Sequence, residues 1–246
     1  MKVAVVTPYY KESDATLRRC IDSVAAQTHP DVRHYMVADG FPRPDLTAGV
    51  DKLTPINLPS AHGDYGCTPR SVGGLCALNE GADIVCFLDA DNLYQPEHVA
   101  SLVSVYQEAL KQGETLDAVF AYRHVFLPGN EHLRLEDQED LARNHVDTSC
   151  ISFARSAAFM WIQWGMIPPS WTPICDRVMF DLVKINQLKT AWTGQHTVLY
   201  ESNWSIHYRL AGLPVPAEGL HDGTVQKVGK LAPEEIYARL RLKPMG

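Results

Sequence analysis

The first hundred residues alternate between two hydrophobic periods, and that alternation predicts βα units around a mainly parallel sheet. The β-branched run KVAVVT (2–7) opens the chain. DATLRRCIDSVAAQ (14–27) then places Leu17, Ile21, Val24 and Ala25 at helical spacing behind Asp14, the candidate cap. VRHYMVAD (32–39) reads as a second strand closed by the turn-rich DGFPRP, and a weaker third strand is expected near 53–58. A polar loop (60–69) leads to a helix over about 70–79, the strand DIVCFL (83–88), and a helix that starts at Pro96 and stops at Gly113. Three strands therefore end at Thr7, Asp39 and Asp89. In open α/β sheets, ligands gather outside the carboxyl ends of the strands.

Past residue 115 the order changes. DAVFAY (117–122) and SCISFA (149–154) read as strands, separated by the charged stretch EHLRLEDQEDLARNH (131–145), expected as helix or loop. This half holds all five tryptophans (Trp161, Trp164, Trp171, Trp192 and Trp204), which suggests packing or a stacking surface. The tail APEEIYARLRLK (232–243) is expected as one surface helix, with Glu234 and Glu235 near its positive end.

Composition excludes several classes. No window supplies the roughly 18 consecutive apolar residues of a membrane span, so the chain is expected to be soluble or at most peripheral to a membrane. MKVAVVTPYY lacks the long apolar region of a signal peptide, which predicts a cytoplasmic address. A formal net charge of -7 and the lack of a basic patch argue against nucleic acid as a partner. The six cysteines show neither a CxxC pair nor zinc-like spacing, and are expected as reduced, mostly packed thiols.

The apolar run in IVCFLDADNLYQP (84–96) ends abruptly in Asp89 and Asp91. Two carboxylates one residue apart at a strand end can aim at one point, and their repulsion is most simply relieved by a hard cation such as Mg²⁺ or Mn²⁺, which keeps coordination sites open for phosphate oxygens. Aspartate is also common in turns, so an isolated DxD can be a cap beside a solvated side chain. Tyr9 offers a flat face for a base, Thr7 and Asp39 offer groups for its hydrogen-bonding edge, and Arg70 offers cationic donors for a diphosphate. Each alone is equally readable as a strand end, a core side chain or a surface ion pair.

Taken together, VVTPYYKE, Asp39 at the next strand end, Arg70 and the DxD after IVCFL resemble glycosyltransferase family 2, the nucleotide-sugar transferases of GT-A fold. The resemblance is strongest over residues 2 to about 95 and weaker to about 210. It implies an α/β fold with a Rossmann-like, mainly parallel central sheet flanked by helices. Residues 1–95 would form the nucleotide-sugar half and 96–246 the acceptor and catalytic half of a single domain. It further implies that Thr7, Pro8 and Tyr9 line the base pocket, that Asp39 holds the pyrimidine, and that Arg70 reaches the nucleotide. Asp89, Ala90 and Asp91 would contact the donor, with Asp89 on the ribose and Asp91 on the metal, Mn²⁺ or Mg²⁺. One departure is ADG (38–40), where the family often has two acidic residues before the glycine.

A transferase also needs a base to take the acceptor's proton. The family's aspartate is best matched in WTPICDRVMFDLVKI (171–185), where Ile174, Val178, Leu182 and Ile185 form an apolar stripe and Asp176 lies about 200° from Ile174 at 100° per residue. The helix dipole favours its anionic form. Asp181 lies deeper in the helix and is rejected, while Cys175 stands where the family commonly has another acidic residue. His207, or else His221, would complete the metal site, with a satisfied or exposed histidine as the alternative for either, and His145 or Asp147 could touch the donor sugar or the acceptor or else belong to a plain turn before a strand.

The expected activity is inverting transfer from a nucleotide-diphosphate sugar, by default a UDP-sugar, to the hydroxyl of a glycan or lipid-linked acceptor. The alternatives are a nucleotide-sugar-binding domain without catalysis and a nucleotidyltransferase, although TPYYKESD lacks the glycines of a phosphate loop. A phosphatase with an aspartate nucleophile would want a hydroxyl residue where Leu93 stands.

Overall fold

The computed structural model describes residues 1–136 and 141–217. The first part contains β1 (Val3–Tyr9), α1 (Asp14–Ala25), β2 (Val32–Ala38), α2 (Pro44–Thr47), β3 (Leu53–Asn57), α3 (Cys67–Asn79) and β4 (Ile84–Phe87). There follow β5 (Leu93–Tyr94), α4 (His98–Lys111), β6 (Ala118–Leu127), β7 (Asn130–Glu136) and β8 (Ile151–Ala154). α5 (Ala158–Gln163), α6 (Cys175–Ile185), β9 (Thr190–Glu201) and α7 (Ser205–Leu210) complete the described chain.

These strands form one nine-stranded sheet in the order β3-β2-β1-β4-β8-β6-β9-β5, with β7 beside β6. β1 pairs in parallel with β2 and β4, and β2 with β3, as the alternating periods predict. β8 is antiparallel to both β4 and β6, while β6 and β9 are again parallel. The two halves therefore share a single sheet, and β4 joins them. Its residues Ile84, Val85, Cys86 and Phe87 are all 0% exposed, which explains why IVCF is continuously apolar rather than alternating.

Local detail departs from the sequence reading in instructive places. Ser13, not Asp14, caps α1: its backbone is extended and its Oγ accepts the Thr16 N–H at 3.2 Å, whereas Asp14 is already helical. Ala25 is exposed and Cys20 takes its place on the buried face beside Leu17, Ile21 and Val24. α3 starts at Cys67, one residue after Gly66 in left-handed conformation, rather than near Arg70. A Cβ on Gly74 would lie 2.5 Å from the Trp161 carbonyl oxygen, so the bare backbone lets α3 pack directly on α5.

The charged stretch expected as helix or loop instead begins as β7, a hairpin partner of β6. β9 is the long strand the sequence reading lacks, because exposed and half-buried residues such as Thr190 and Gly194 blur its period. The tryptophans mostly pack: Trp161 and Trp164 are 0% exposed, and Phe87 meets Trp164 edge-on at 5.2 Å. Burying each such large apolar side chain contributes about 1.5–3 kcal/mol. The expected tail helix lies outside the described residues.

Candidate active site

A cleft of about 510 Å³ opens at the carboxyl ends of β1, β2 and β4. Pro8, Tyr9, Asp39, Arg70, Asp89, Ala90 and Asp91 all line it, together with Tyr10, Glu12 and the 63–66 turn. Residues far apart in sequence meet there because parallel strands end on one edge. Thr7 is not a lining residue. It is 0% exposed, and its hydroxyl lies 2.9 Å from His34 Nε2 and 3.9 Å from Cys20 Sγ, so its side chain belongs to the core under the cleft.

Tyr9 is also more buried than a stacking platform requires, at 2% exposed. Its hydroxyl accepts the Arg43 N–H at 3.1 Å, and burial raises its pKa. The exposed aromatics on this rim are Tyr65, 66% accessible, and Tyr10, 41% accessible, the latter meeting Phe41 edge-on at 4.8 Å with Lys11 Nζ 4.3 Å above the Phe41 ring. The repeated tyrosine in TPYY is the signal: Tyr9 ends β1 with its ring buried, whereas Tyr10 lies in the bend after the strand.

Asp39 and Arg70 are held by the loop between β3 and α3. Both carboxylate oxygens of Asp39 accept the His62 N–H at 3.0 Å, and His62 Nδ1 lies 2.7 Å from Oδ1. Arg70, only 4% exposed, donates from one terminal nitrogen to the Tyr65 carbonyl at 2.7 Å and pairs through the other with Asp89. Tyr65 takes a positive φ of 56°, uncommon for a tyrosine, directly before Gly66 at 78°. That tight turn aims the Tyr65 carbonyl at the guanidinium.

Past β4 the DADN turn is fixed by buried polar groups. Asn92 is 0% exposed: its amide donates to Ser149 Oγ at 2.9 Å, and its carbonyl accepts the Glu201 N–H at 3.1 Å. Ser149 Oγ also accepts the Asp89 N–H at 3.3 Å. Three segments thus meet at one point, which no local motif could reveal. Asp91 opens to the cleft, but surrounding protein, then Asp89, and further Glu201 and Asp147, push its pKa up to about 7.

Asp176 occupies the first turn of α6, outside the lining residues of the cleft. Its Oδ2 lies 2.7 Å from His145 Nε2, and its Oδ1 accepts the Arg177 N–H at 2.7 Å. Burial works against the charge, but the hydrogen bond from His145 and its field win, so the carboxyl titrates below the usual range. Asp147 instead binds Arg123 at 2.6 Å and caps the Ser149 N–H at 2.9 Å. Burial pushes Asp147 up to about 6 against the pull of Arg123, with Asp89 and Asp176 adding to the rise. These carboxylates share one field.

His207 lies on α7 with Nδ1 2.6 Å from Ser202 Oγ, and His221 falls outside the described residues. Among the described residues, no three His, Cys, Asp or Glu side chains converge as a ready-made metal cluster.

Residues 4–122 match the family model described as Glycosyl transferase family 2. Through this segment the chain is similar to glycosyltransferase family 2. The chain is 34% identical over 113 residues to the succinoglycan biosynthesis protein ExoW of Rhizobium meliloti, covering 43% of the chain and 33% of ExoW. It is 32% identical over 135 residues to an uncharacterized glycosyltransferase of Nostoc, covering 53% of the chain and 39% of that protein. The chain thus spans little more than a third of the length of the curated relatives it matches. In fold it is similar to TarS of S. aureus: TM-score 0.64 to TarS 1–349, at 14% identity over 85% of this chain and 63% of that one. TarS 1–349 in complex with UDP-GlcNAc gives 0.61, at 15% identity over 98% and 65%. The sheet described above is that of a GT-A fold.

Proposed function

We propose that this chain is a glycosyltransferase of family 2 and transfers a sugar from a nucleotide-diphosphate donor, by preference a UDP-sugar, to the hydroxyl of a carbohydrate or lipid-linked acceptor, with inversion. The observation that carries the reading is the meeting of Asp39, Arg70, Asp89 and Asp91 in one cleft at the strand ends. The Nostoc relative named as a glycosyltransferase and the UDP-GlcNAc complex of TarS support the same donor class.

In this reaction the acceptor oxygen forms a bond to the anomeric carbon while the bond from that carbon to the diphosphate oxygen breaks. The nucleoside diphosphate leaves with the electron pair, and Asp176 takes the acceptor's proton. Arg70, paired with Asp89 and backed by Trp164 at 5.1 Å, presents positive charge beside the diphosphate without reorganising. Asp39 and the 62–63 amides fix the floor on which the base rests.

The donor set fits a divalent cation held chiefly by substrate. Asp91 carries an unrelieved charge crowded by three other carboxylates, which a cation would offset. Asp91, with His207, would hold Mn²⁺ or Mg²⁺, and diphosphate oxygens would fill the remaining positions. A bound ion of this kind supplies Lewis-acid stabilisation of the leaving diphosphate.

Asp176→Asn is the test. Turnover of a UDP-sugar should fall about 10²- to 10⁴-fold, while calorimetric donor affinity stays near wild type. Equal turnover in a folded variant would overturn the assignment of the base.

A further inference from the structure

The base of this site does not stand alone. His145 is buried, its side chain 7% exposed against 26% for Asp176, and it approaches the base from the segment between β7 and β8. An ionised carboxylate only accepts hydrogen bonds, so the 2.7 Å contact requires the hydrogen on Nε2 of His145. With the Arg177 N–H on Oδ1 at 2.7 Å, both oxygens of Asp176 are fixed, and each keeps lone-pair capacity for an incoming hydroxyl.

We propose that His145 is the positioning residue of the catalytic base: its Nε2–H holds the Asp176 carboxylate in one rotamer and favours its ionised form. This rests on the transferase reading above and names a residue that reading does not require. It replaces the sequence expectation that His145 touches donor or acceptor, because the imidazole is buried and turned toward α6.

The surroundings determine the sign. Facing or flanking Asp176 are Cys175 and Arg177 on its own helix, Asp147 from the His145 segment and Arg123 from β6, with Arg70 and Cys67 next to Cys175. Burial alone would raise the Asp176 pKa, and the hydrogen bond from His145 is the largest opposing influence. Removing it raises that pKa, so the acidic limb of the pH–rate profile moves to higher pH.

His145→Phe removes the donor, and His145→Gln returns an uncharged one at similar reach. The activity probe is UDP release from UDP-GlcNAc in the presence of Mn²⁺, with water as acceptor. We expect His145→Phe to lose about tenfold in kcat, to change the donor KM less than about twofold, and to shift the acidic limb upward by about one pH unit. His145→Gln should recover more than half of that shift. In parallel, carbon-13 carboxyl titration of Asp176, assigned through Asp176→Asn, reads the same pKa change without turnover. A folded His145→Phe protein whose Asp176 titrates as in wild type overturns the inference, as does a His145→Gln variant no closer to wild type than the phenylalanine. Absence of UDP release from the wild type would count against the transferase reading, and the carboxyl titration would still decide the role of His145.

Discussion

The two sides of the cleft meet charge in opposite ways. On the side built by β1, β2 and α3, each ionised group already has protein partners: Asp39 has the His62 and Gly63 amides, and Arg70 has Asp89 and the Tyr65 carbonyl. On the side where the DADN turn faces the ends of β6, β8 and β9, acidic groups accumulate, and burial with mutual repulsion pushes Asp91 up to about 7 and Asp147 up to about 6. A prepaired wall offers fixed geometry to a ligand. The acidic side holds an electrostatic deficit that a proton or a cation relieves, so ligand chemistry is expected to act there.

The comparison breaks first at Arg123. Arg123 and Asp147 are 7% and 8% exposed, and Arg123→Met leaves Asp147 buried without its guanidinium. Urea unfolding should show a loss of about 3–5 kcal/mol, because an orphaned buried charge is far more destabilising than a missing pair. Asn92→Ala comes next: it strands the Glu201 N–H and leaves Ser149 Oγ with the Asp89 N–H alone, and should lose about 1–3 kcal/mol while weakening donor binding through the released turn. Gly66→Ala tests the rigidity of the prepaired wall, since a Cβ there meets Pro8 at 2.9 Å and Arg70 at 3.1 Å and the backbone φ is 78°. A loss of about 1–2 kcal/mol, with reduced nucleotide affinity, is expected by the same unfolding assay and by calorimetry.

The smallest effect has the opposite sign. Asp91 titrates higher in the folded protein than in the unfolded chain, so the unfolded state releases its proton first and the carboxylate opposes folding above its folded pKa. Without added metal, Asp91→Asn should therefore raise Tm slightly at pH 8, and the gain should shrink as pH falls through about 7 toward 4. Because Asp91 is open to solvent, the effect is modest. A lower Tm at pH 8 would show that this side of the cleft carries no such deficit.

The same division governs what the sequence discloses. The four parallel strands around β1 follow from alternating periods, and Asp39, Arg70, Asp89 and Asp91 stand at positions set by those periods. Thr7 and Tyr9 fall at the right strand end, but the side to which a residue's side chain turns depends on the neighbouring strand, here His34 on β2. Beyond residue 115, the determining contacts are nonlocal: Asn92 reaches Glu201, His145 reaches Asp176, and Arg123 reaches Asp147. No spacing rule connects such pairs. β9, with Gly194 and polar residues interrupting its period, was correspondingly invisible, although it carries Glu201 to the site.

The central claim is that this cleft takes a nucleotide-diphosphate sugar, and a thermal-shift panel of UDP-, GDP- and dTDP-sugars with and without Mn²⁺ tests it most directly. Ligand bound to the folded state raises Tm by mass action. The account predicts the largest rise with a UDP-sugar plus Mn²⁺, and its disappearance in Arg70→Ala relative to that variant's own baseline. If no nucleotide diphosphate sugar raises Tm under either condition, the assignment of this site is contradicted.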